Sequence, residues 1–337
     1  MHIKKYLRCL LSLILIFTFA QTSYSQKYKD KISNLSELKI TKPNLNGHNF
    51  INLFSVKSPF INTSFNFTMG GGQTVGFELP PVVIDSVTVI NTVKGDVAFT
   101  SINFEYQAKL RDWLSFWGNI QLNGRLGTKL RSVFAQGINL STGYEFGWLF
   151  KLWENKNNMM SGAVKLSNYN YSVIDLQGFV KKIIETGGIS EDNKLFQSVP
   201  SLTVSGELRH SIAVSRSLGI TSFIEIGSGE SIKRDEGTKG IFLLGIAADY
   251  DFLPKTNVPL GFSLGYFLNS KPNLSEDRFG NPQNIISKIS YTGSSDMNAG
   301  IEISYEWSKV GILKTNLNTN SESLKFLNLN GSFRYYF

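Results

Sequence analysis

The chain has 337 residues, and 34 lysines and arginines against 26 acidic residues give a formal net charge of +8. This mild positive charge is dispersed along the chain, so it does not indicate a nucleic-acid partner. One cysteine, Cys9, and three histidines exclude a disulfide framework and argue against a thiolate or multi-histidine metal site. We therefore predict neither a metal site nor a cofactor.

Residues 1–25 have the three parts of a secretory signal peptide. Three cations precede an apolar run over 9–20, and Ser23-Tyr24-Ser25 offers small residues for cleavage before Gln26. The run is too short for a transmembrane helix, which needs about twenty apolar residues. Cleavage would remove Cys9 and leave 312 residues with a formal charge of +5.

Residues 26–58 show weak patterning before the first predicted strand. The segment begins with three spaced lysines and contains Pro43 and Gly47. It is predicted to be either a periplasmic tail or a plug.

Residues 59–337 read as one all-β domain, because no linker or change of composition divides them. Segments with a two-residue period, typical of strands with one apolar and one polar face, number about twelve. They span 59–69, 97–110, 113–126, 136–151, 158–168, 200–213, 217–228, 239–252, 258–269, 293–306, 309–317 and 324–337. Strands with this alternation, in an even number, are typical of single-chain bacterial barrels, so we predict an antiparallel up-and-down transmembrane β-barrel.

The connections between these strands alternate in length. Short turns are predicted near 111–112, 154–158, 215–217, 253–258 and 307–308. Longer connections are predicted at 70–96, 127–135, 169–199, 229–238 and 270–292. Transmembrane barrels show this alternation, with short turns on the periplasmic side and long loops outside.

One long connection contains a helical pattern. Apolar residues recur at helical spacing over 173–186, and Gly187-Gly188 supplies a stop. This short helix would lie in an external loop, either as a gate in the mouth or packed on the rim. We favour the rim, because loops usually lie on surfaces.

The predicted register turns a set of charged side chains toward the lumen. These candidate pore residues are Glu105, Arg125, Glu145, Lys165, Glu207, Arg209, Glu225, Asp249, Asp251, Glu302 and Arg334. A turn centred on Arg216 would set Glu207 opposite Glu225, with Arg209 close to both. The two carboxylates suggest a cation site or a paired-acid catalytic site, but structural pairing is the commoner arrangement. Glu145 and Lys165 are likewise expected to face each other.

Small residues line two neighbouring strands on the same inward face, at Gly245, Ala247, Gly261, Ser263 and Gly265. Glycine within a strand often marks the close approach of another group. A plug, a loop or a passing solute would fill the space, or the glycines would only ease curvature.

Enzyme motifs are lacking. His210 precedes Ser211, which suggests a membrane hydrolase of the outer-membrane phospholipase type. Adjacent strand residues point to opposite faces, however, so the two side chains are not expected to share a hydrogen bond.

The C-terminal strand, 327–337, alternates apolar residues with polar ones and ends on Phe337. Aromatic residues beside the predicted short turns and at the C-terminus form an expected girdle of Trp113, Trp153, Phe252, Trp307 and Phe337. This strand resembles the closing strand of Gram-negative outer-membrane β-barrel proteins. In that family the barrel assembly machinery recognises the closing strand. The general plan resembles porins and hydrophobic-substrate channels, including the fatty-acid transporter type, whose barrel has fourteen strands and an N-terminal plug.

The resemblance implies an outer-membrane location, with outer-membrane lipid and the barrel assembly machinery as partners. The leading hypothesis is a channel or transporter for a small solute through a narrow polar lumen. The alternative is a closed structural or accessory barrel that binds other envelope components. A lipid hydrolase is a third hypothesis, and it lacks a catalytic constellation. The solute and the oligomeric state stay open.

Overall fold

A computed structural model describes most of the chain after residue 41. The described residues are 42–76, 78–79, 82–84, 87–90, 93–94, 98–126, 140–174, 185, 196–230, 237–270, 282–310 and 322–337. The predicted signal peptide and the first part of the 26–58 segment lie outside them.

Twelve antiparallel strands close into one barrel. They are β3 (Ser64–Thr74), β8 (Ala98–Arg111), β9 (Leu114–Leu126), β10 (Leu140–Glu154), β11 (Asn158–Ile174), β12 (Phe196–Ala213), β13 (Leu218–Glu230), β14 (Thr238–Asp251), β15 (Leu260–Ser270), β16 (Gln283–Tyr291), β17 (Met297–Val310) and β18 (Glu322–Tyr336). Each pairs with its neighbours in this order, and β18 pairs with β3 to close the ring. The predicted all-β, antiparallel, twelve-stranded barrel is confirmed.

Short strands lie outside the ring. They are β1 (Asn44–Leu45), β2 (His48–Asn49), β4 (Glu78–Leu79), β5 (Val82–Ile84), β6 (Val87–Ile90) and β7 (Val93–Lys94). Strand β1 pairs with β2, β4 with β7, and β5 with β6. The last two pairs belong to the long connection between β3 and β8.

Alternation along each barrel strand separates an inner face from an outer face. In β18, Arg334 and Tyr336 point inward, whereas Leu329 and Phe333 are exposed on the outside. Because consecutive strand residues point to opposite faces, an apolar exterior and a polar interior follow from the two-residue sequence period. This alternation is the pattern of a transmembrane β-barrel.

Short turns gather at one end of the barrel, which we call the short-turn end. They join β8 to β9, β10 to β11, β12 to β13, β14 to β15 and β16 to β17. A four-residue helix, α1 (Leu253–Thr256), forms part of the β14–β15 turn. The opposite end, from which the longer connections leave, is the loop end.

The predicted turn at 307–308 and the predicted connection over 270–292 are wrong. Strand β16 occupies 283–291, and residues 307–308 continue β17. Ile285 and Ile289 point outward, but Ile286 points inward and is fully buried. Isoleucine on both faces hides the two-residue period. The predicted strand 309–317 shares only its first two residues with β17, and residues 311–317 lie outside the described chain.

The predicted loop helix falls largely outside the described residues. Val173 and Ile174 belong to β11, and Glu185 is helical. In the part of the chain that the structure describes, no helix combines the length and the apolar character of a membrane span.

Candidate functional site

Residues 42–60, the inner segment, lie inside the barrel. The segment begins at the short-turn end, where the Lys42 amide donates to the Ser295 carbonyl at 3.3 Å. Strands β1 and β2 then form a small hairpin whose turn residues, Asn46 and Gly47, have φ values of 51° and 82°. The segment ends shortly before β3 begins at Ser64.

Wall side chains satisfy the backbone polar groups of the inner segment. The Asp249 and Glu302 carboxylates accept from the amides of Ile51 and Phe54, each at 3.1 Å. Four segment carbonyls accept hydrogen bonds from wall side chains: Asn52 from Lys288, Ser58 from Arg209, Pro59 from Ser161 and Phe60 from Gln107. These contacts reach six barrel strands, which is possible only from within the ring. Buried backbone groups need such partners, and residues 50–60 belong to no sheet that could supply them.

Apolar side chains of the segment complete the interior packing. Leu53 and Val56 pack in a buried cluster with wall residues of β13, β14 and β16. Leu45, Phe50 and Phe60 form a second cluster with Met159 and Ala213.

The small inward residues make room for this packing. A Cβ atom placed on Gly261 would lie 2.2 Å from Ile51 Cδ1, and one placed on Gly265 would lie 2.5 Å from Leu53 Cδ1. On the wall beside them, a Cβ on Gly219 would lie 2.4 Å from His48 Nε2. The inner segment therefore occupies the space beside Gly261 and Gly265.

Lys42 lies where the segment begins, and only 6% of it is exposed. Its Nζ donates to the Thr292 carbonyl at 3.5 Å. Burial lowers the pKa of the Lys42 ammonium to about 8, and Asp251 and Asp296 oppose this shift.

His48 and Asp249 form a buried pair between the segment and the wall. His48 Nε2 lies 3.0 Å from Asp249 Oδ1, and its Nδ1 lies 3.3 Å from the Arg216 carbonyl oxygen. Both ring nitrogens are thus occupied, and the imidazole is fully buried. A general base needs a nitrogen within reach of a nucleophile, so this pair is better suited to anchoring the hairpin.

His210 and Ser211 do not meet. His210 Nε2 lies 3.3 Å from Asn158 Oδ1, whereas the buried Ser211 hydroxyl lies 2.8 Å from the Thr221 hydroxyl on the inner face. This placement gives the hydrolase hypothesis no Ser–His pair at these residues.

Lys165 is the centre of a buried ion network. Its Nζ lies 2.8 Å from a Glu207 oxygen, 2.7 Å from a Glu225 oxygen and 3.5 Å from a Glu145 oxygen. Glu207 and Glu225 are directly opposite each other across β12 and β13, which is the register expected from a turn at Arg216. The lysine separates the carboxylates, so the geometry supports structural pairing.

Two further cations balance the three carboxylates. Arg209 Nε donates to Glu207 at 2.6 Å, and Lys57 Nζ of the inner segment donates to Glu145 at 2.8 Å. Both cations also lie over the Trp117 ring, at 5.3 Å for Lys57 and 5.4 Å for Arg209. Three positive and three negative groups leave the network neutral, and the inner segment supplies one of them.

The other candidate pore residues lie outside this network. Arg334 Nη2 donates to Glu105 at 2.8 Å, and Asp251 accepts from the Thr292 hydroxyl at 2.9 Å. The backbone of Arg125 pairs with Phe99 in β8, and its side chain is not among those described. The role of the candidate set as pore residues stays a prediction.

Four of the five expected girdle residues lie at the short-turn end. Trp113, Trp153, Phe252 and Phe337 are all exposed there. Trp307 does not belong with them, because it pairs with Gln283 and Lys325 toward the loop end. Trp307 was predicted at this end only because a turn was predicted at 307–308, and these residues continue β17.

A cavity of about 280 Å³ lies in the loop half of the interior, above the inner segment. Its apolar lining includes Phe223, Leu243 and Phe267, and its polar lining includes Asn119, Gln121, Tyr169 and Asn269. Lys57, Glu145, Lys165 and Glu225 supply its charged lining.

The amide residues of this cavity and the inner-segment partner Lys57 were not among the sequence candidates. Asn119 and Gln121 belong to a clear inward alternation in β9 that could have identified them. Lys57 lies in a segment without a two-residue period, so the sequence pattern could not show that its side chain faces the interior. Its charge was the only available signal.

The fold and interior define a transmembrane-type β-barrel whose short-turn half is filled by its own N-terminal segment. No protein-family model and no curated protein sequence matches the chain. The barrel is similar, at low sequence identity, to solved structures of channels and a porin. An outer membrane channel from Pseudomonas putida F1 has 10% identity and a TM-score of 0.47, covering 86% of this chain and 100% of that chain.

Two further structures have similar values. The TodX monoaromatic hydrocarbon channel deltaS2 mutant has 10% identity and a TM-score of 0.43, covering 82% of this chain and 90% of that one. The KdgM porin in complex with disordered oligogalacturonate has 8% identity and a TM-score of 0.41, covering 80% and 99%.

Replacing Lys165 with methionine should destabilise the barrel strongly, because three buried carboxylates lose their shared cation. Removal of one partner from a buried ion pair typically costs about 3–5 kcal/mol. The matched control is Lys151→Met, which breaks the exposed pair between Lys151 and Glu154, 2.9 Å apart. That change should cost about 1 kcal/mol or less. Denaturant unfolding of the refolded barrel measures both, and equal costs would contradict the central role of Lys165.

Proposed function

We propose that this protein is an outer-membrane channel for small solutes and that the inner segment closes it in the state described above. The observation that carries the proposal is the division of the interior into a filled short-turn half and a cavity in the loop half. A structural barrel has no need for a cavity that its own segment separates from the short-turn end.

The outer surface supports placement in a membrane. Large apolar side chains are exposed along the barrel strands, including Ile120, Ile226, Leu264, Ile289 and Ile303. Water-soluble proteins rarely expose apolar surface so continuously. The predicted signal peptide and the resemblance of the C-terminal strand favour the outer membrane, with the short turns facing the periplasm.

Little space remains along the inner segment. A gap of about 20 Å³ lies between segment residues 52–58 and a wall that includes Gln107, Trp117 and Arg209. A volume of this size accommodates about one water molecule. Any larger solute therefore requires displacement of the segment before it reaches the periplasmic side.

The bonds of the segment suit such a displacement. Among the described residues, the segment is held to the barrel by side-chain hydrogen bonds, the Lys57–Glu145 pair, apolar packing and the backbone bond from Lys42 to Ser295. Each hydrogen bond contributes about 1 kcal/mol net. Their separation breaks none of the backbone ladders that close the barrel.

A closed structural barrel is the second candidate function. The neutral buried network around Lys165 favours it, because paired charges stabilise an interior without any transported ion. Conductance of the full chain and of a variant without residues 26–58 separates the two functions.

Deletion of residues 26–58 should open a steady conductance in planar bilayers, whereas the full mature chain should conduct little or only briefly. The deletion removes Lys57, so three carboxylates would face two cations and the open lumen should prefer cations. Single-channel recording measures both properties. Silence from both forms, with folding verified by circular dichroism and insertion verified by protease protection, would favour the structural barrel.

A disulfide between positions 53 and 265 should lock the channel shut. A Cβ at Gly265 would lie 2.5 Å from Leu53 Cδ1, so the two positions are neighbours in the interior. We expect cysteines there to come close enough for a disulfide. The predicted mature chain has no other cysteine. The oxidised double variant should be completely silent, and reduction should restore the brief openings of the parent protein. The conductance of Leu53→Cys alone should not change when the reductant is added. Equal conductance of the oxidised and reduced double variant would contradict gating by the segment.

Arginine at Ile303 should destabilise the barrel in phospholipid vesicles by about 2–4 kcal/mol, because a charge near the bilayer midplane is poorly solvated. Ile303 lies near the middle of β17 and is 48% exposed. The control, Val214→Arg, places the same charge in a short turn at a residue that is 54% exposed. Its effect should be below about 1 kcal/mol, as expected near the interface. Unfolding free energies that respond equally at both positions would argue against membrane insertion.

A further inference from the structure

The cavity in the loop half has one apolar wall and one wall of amides and hydroxyls. On the apolar side, the Phe223 and Phe267 rings are stacked with their centroids 6.0 Å apart, and Leu243 lies beside them. On the polar side are Asn119 and Gln121 of β9 and Tyr169 of β11, whereas Asn269 lies on the apolar side as the cross-strand partner of Leu243. Such a lining selects a molecule that is itself apolar on one face and rich in hydrogen-bonding groups on the other.

The charged groups at the cavity are already paired with one another. Lys57 binds Glu145 at 2.8 Å, and Lys165 binds Glu225 at 2.7 Å. Two positive and two negative groups give the lining no net charge. An ionic solute would have to break one of these pairs to gain a counter-charge, and its own desolvation would remain uncompensated.

One polar atom at the cavity lacks a partner. Asn119 is 4% exposed, and its Oδ1 forms no hydrogen bond among the described residues. A buried carbonyl oxygen without a donor costs about 1–3 kcal/mol. Asn119 lines the cavity, so rotation of its side chain amide would let this oxygen accept from a ligand hydroxyl or amide there.

We propose that the cavity binds an uncharged saccharide of one or two rings. The C–H face of a pyranose ring packs on the aromatic wall, and its hydroxyl groups donate to Asn119 and bond with the other amides. The volume of about 280 Å³ lies near the lower end of small-molecule sites and fits this size. The inference rests on the proposed function, since it names the solute class of that channel.

Isothermal titration calorimetry of the refolded mature protein tests the inference directly. The detergent should carry no sugar, for example an amine oxide, because a maltoside headgroup would compete. Glucose and maltose should bind, whereas glucuronate and glucosamine should bind about tenfold more weakly or not at all. Toluene should not bind, because it leaves the amide wall without partners.

Two variants locate the binding. Asn119→Leu and Phe267→Ala should each weaken maltose binding by about tenfold or more. The matched control is Asn103→Leu, which removes another buried asparagine without hydrogen-bond partners among the described residues, away from the cavity lining. It should bind maltose as the parent protein does.

Several outcomes would overturn the saccharide site: no binding of glucose or maltose, preference for a charged sugar or toluene, or an equal loss in the Asn103 variant. Conductance separates this proposal from the channel proposal. If the deletion variant conducts but the full mature protein binds neither glucose nor maltose, the solute class alone is overturned. Sugar binding to a barrel that stays silent after the deletion would overturn the channel and leave the binding site standing.

Discussion

The rest of the interior depends on the burial of Lys165 among three carboxylates. Strand closure turns alternate side chains of every strand inward, and a charge there has little water to solvate it. Lys165 is 3% exposed at its side chain, and two glutamates lie within 2.8 Å of it. One lysine cannot neutralise three carboxylates, so Arg209 and Lys57 are required. Charge balance therefore links the wall to a segment that belongs to no barrel strand.

The inner segment and the wall are stabilised in different ways. Backbone ladders hold the ring, whereas side-chain contacts, apolar packing and close fit against glycines hold the segment. Gly261 and Gly265 show how the fit is achieved, because any larger residue at either position would meet Ile51 or Leu53. One chain therefore forms both a barrel held by backbone hydrogen bonds and an inner segment held by weaker side-chain contacts. The segment could be displaced without breaking the barrel.

Most of the barrel could be predicted from sequence because its strands obey a two-residue period. Strand β18 is clear, since its outer face is apolar and its inner face carries Arg334 and Asn330. Strand β16 was missed because Ile286 points into the apolar cluster beside the inner segment, which erases the contrast between faces. The same error moved Trp307 to the wrong end. Lys57 as the partner of Glu145 could not be predicted, because the position of an aperiodic segment is set by three-dimensional fit.

Lys57 gives the segment and the cavity a shared residue. With the segment in place, the Lys57 ammonium neutralises the Glu145 carboxylate at the floor of the cavity. If the segment left, as proposed, the Lys57 ammonium would leave with it, and the three carboxylates would have only Lys165 and Arg209. The cavity lining would then change from neutral to acidic. The apolar surface that Phe54 contributes to the lining would also be lost. A neutral solute that fits the closed cavity would lose part of its binding surface on opening, so the same movement that clears the path would also favour release.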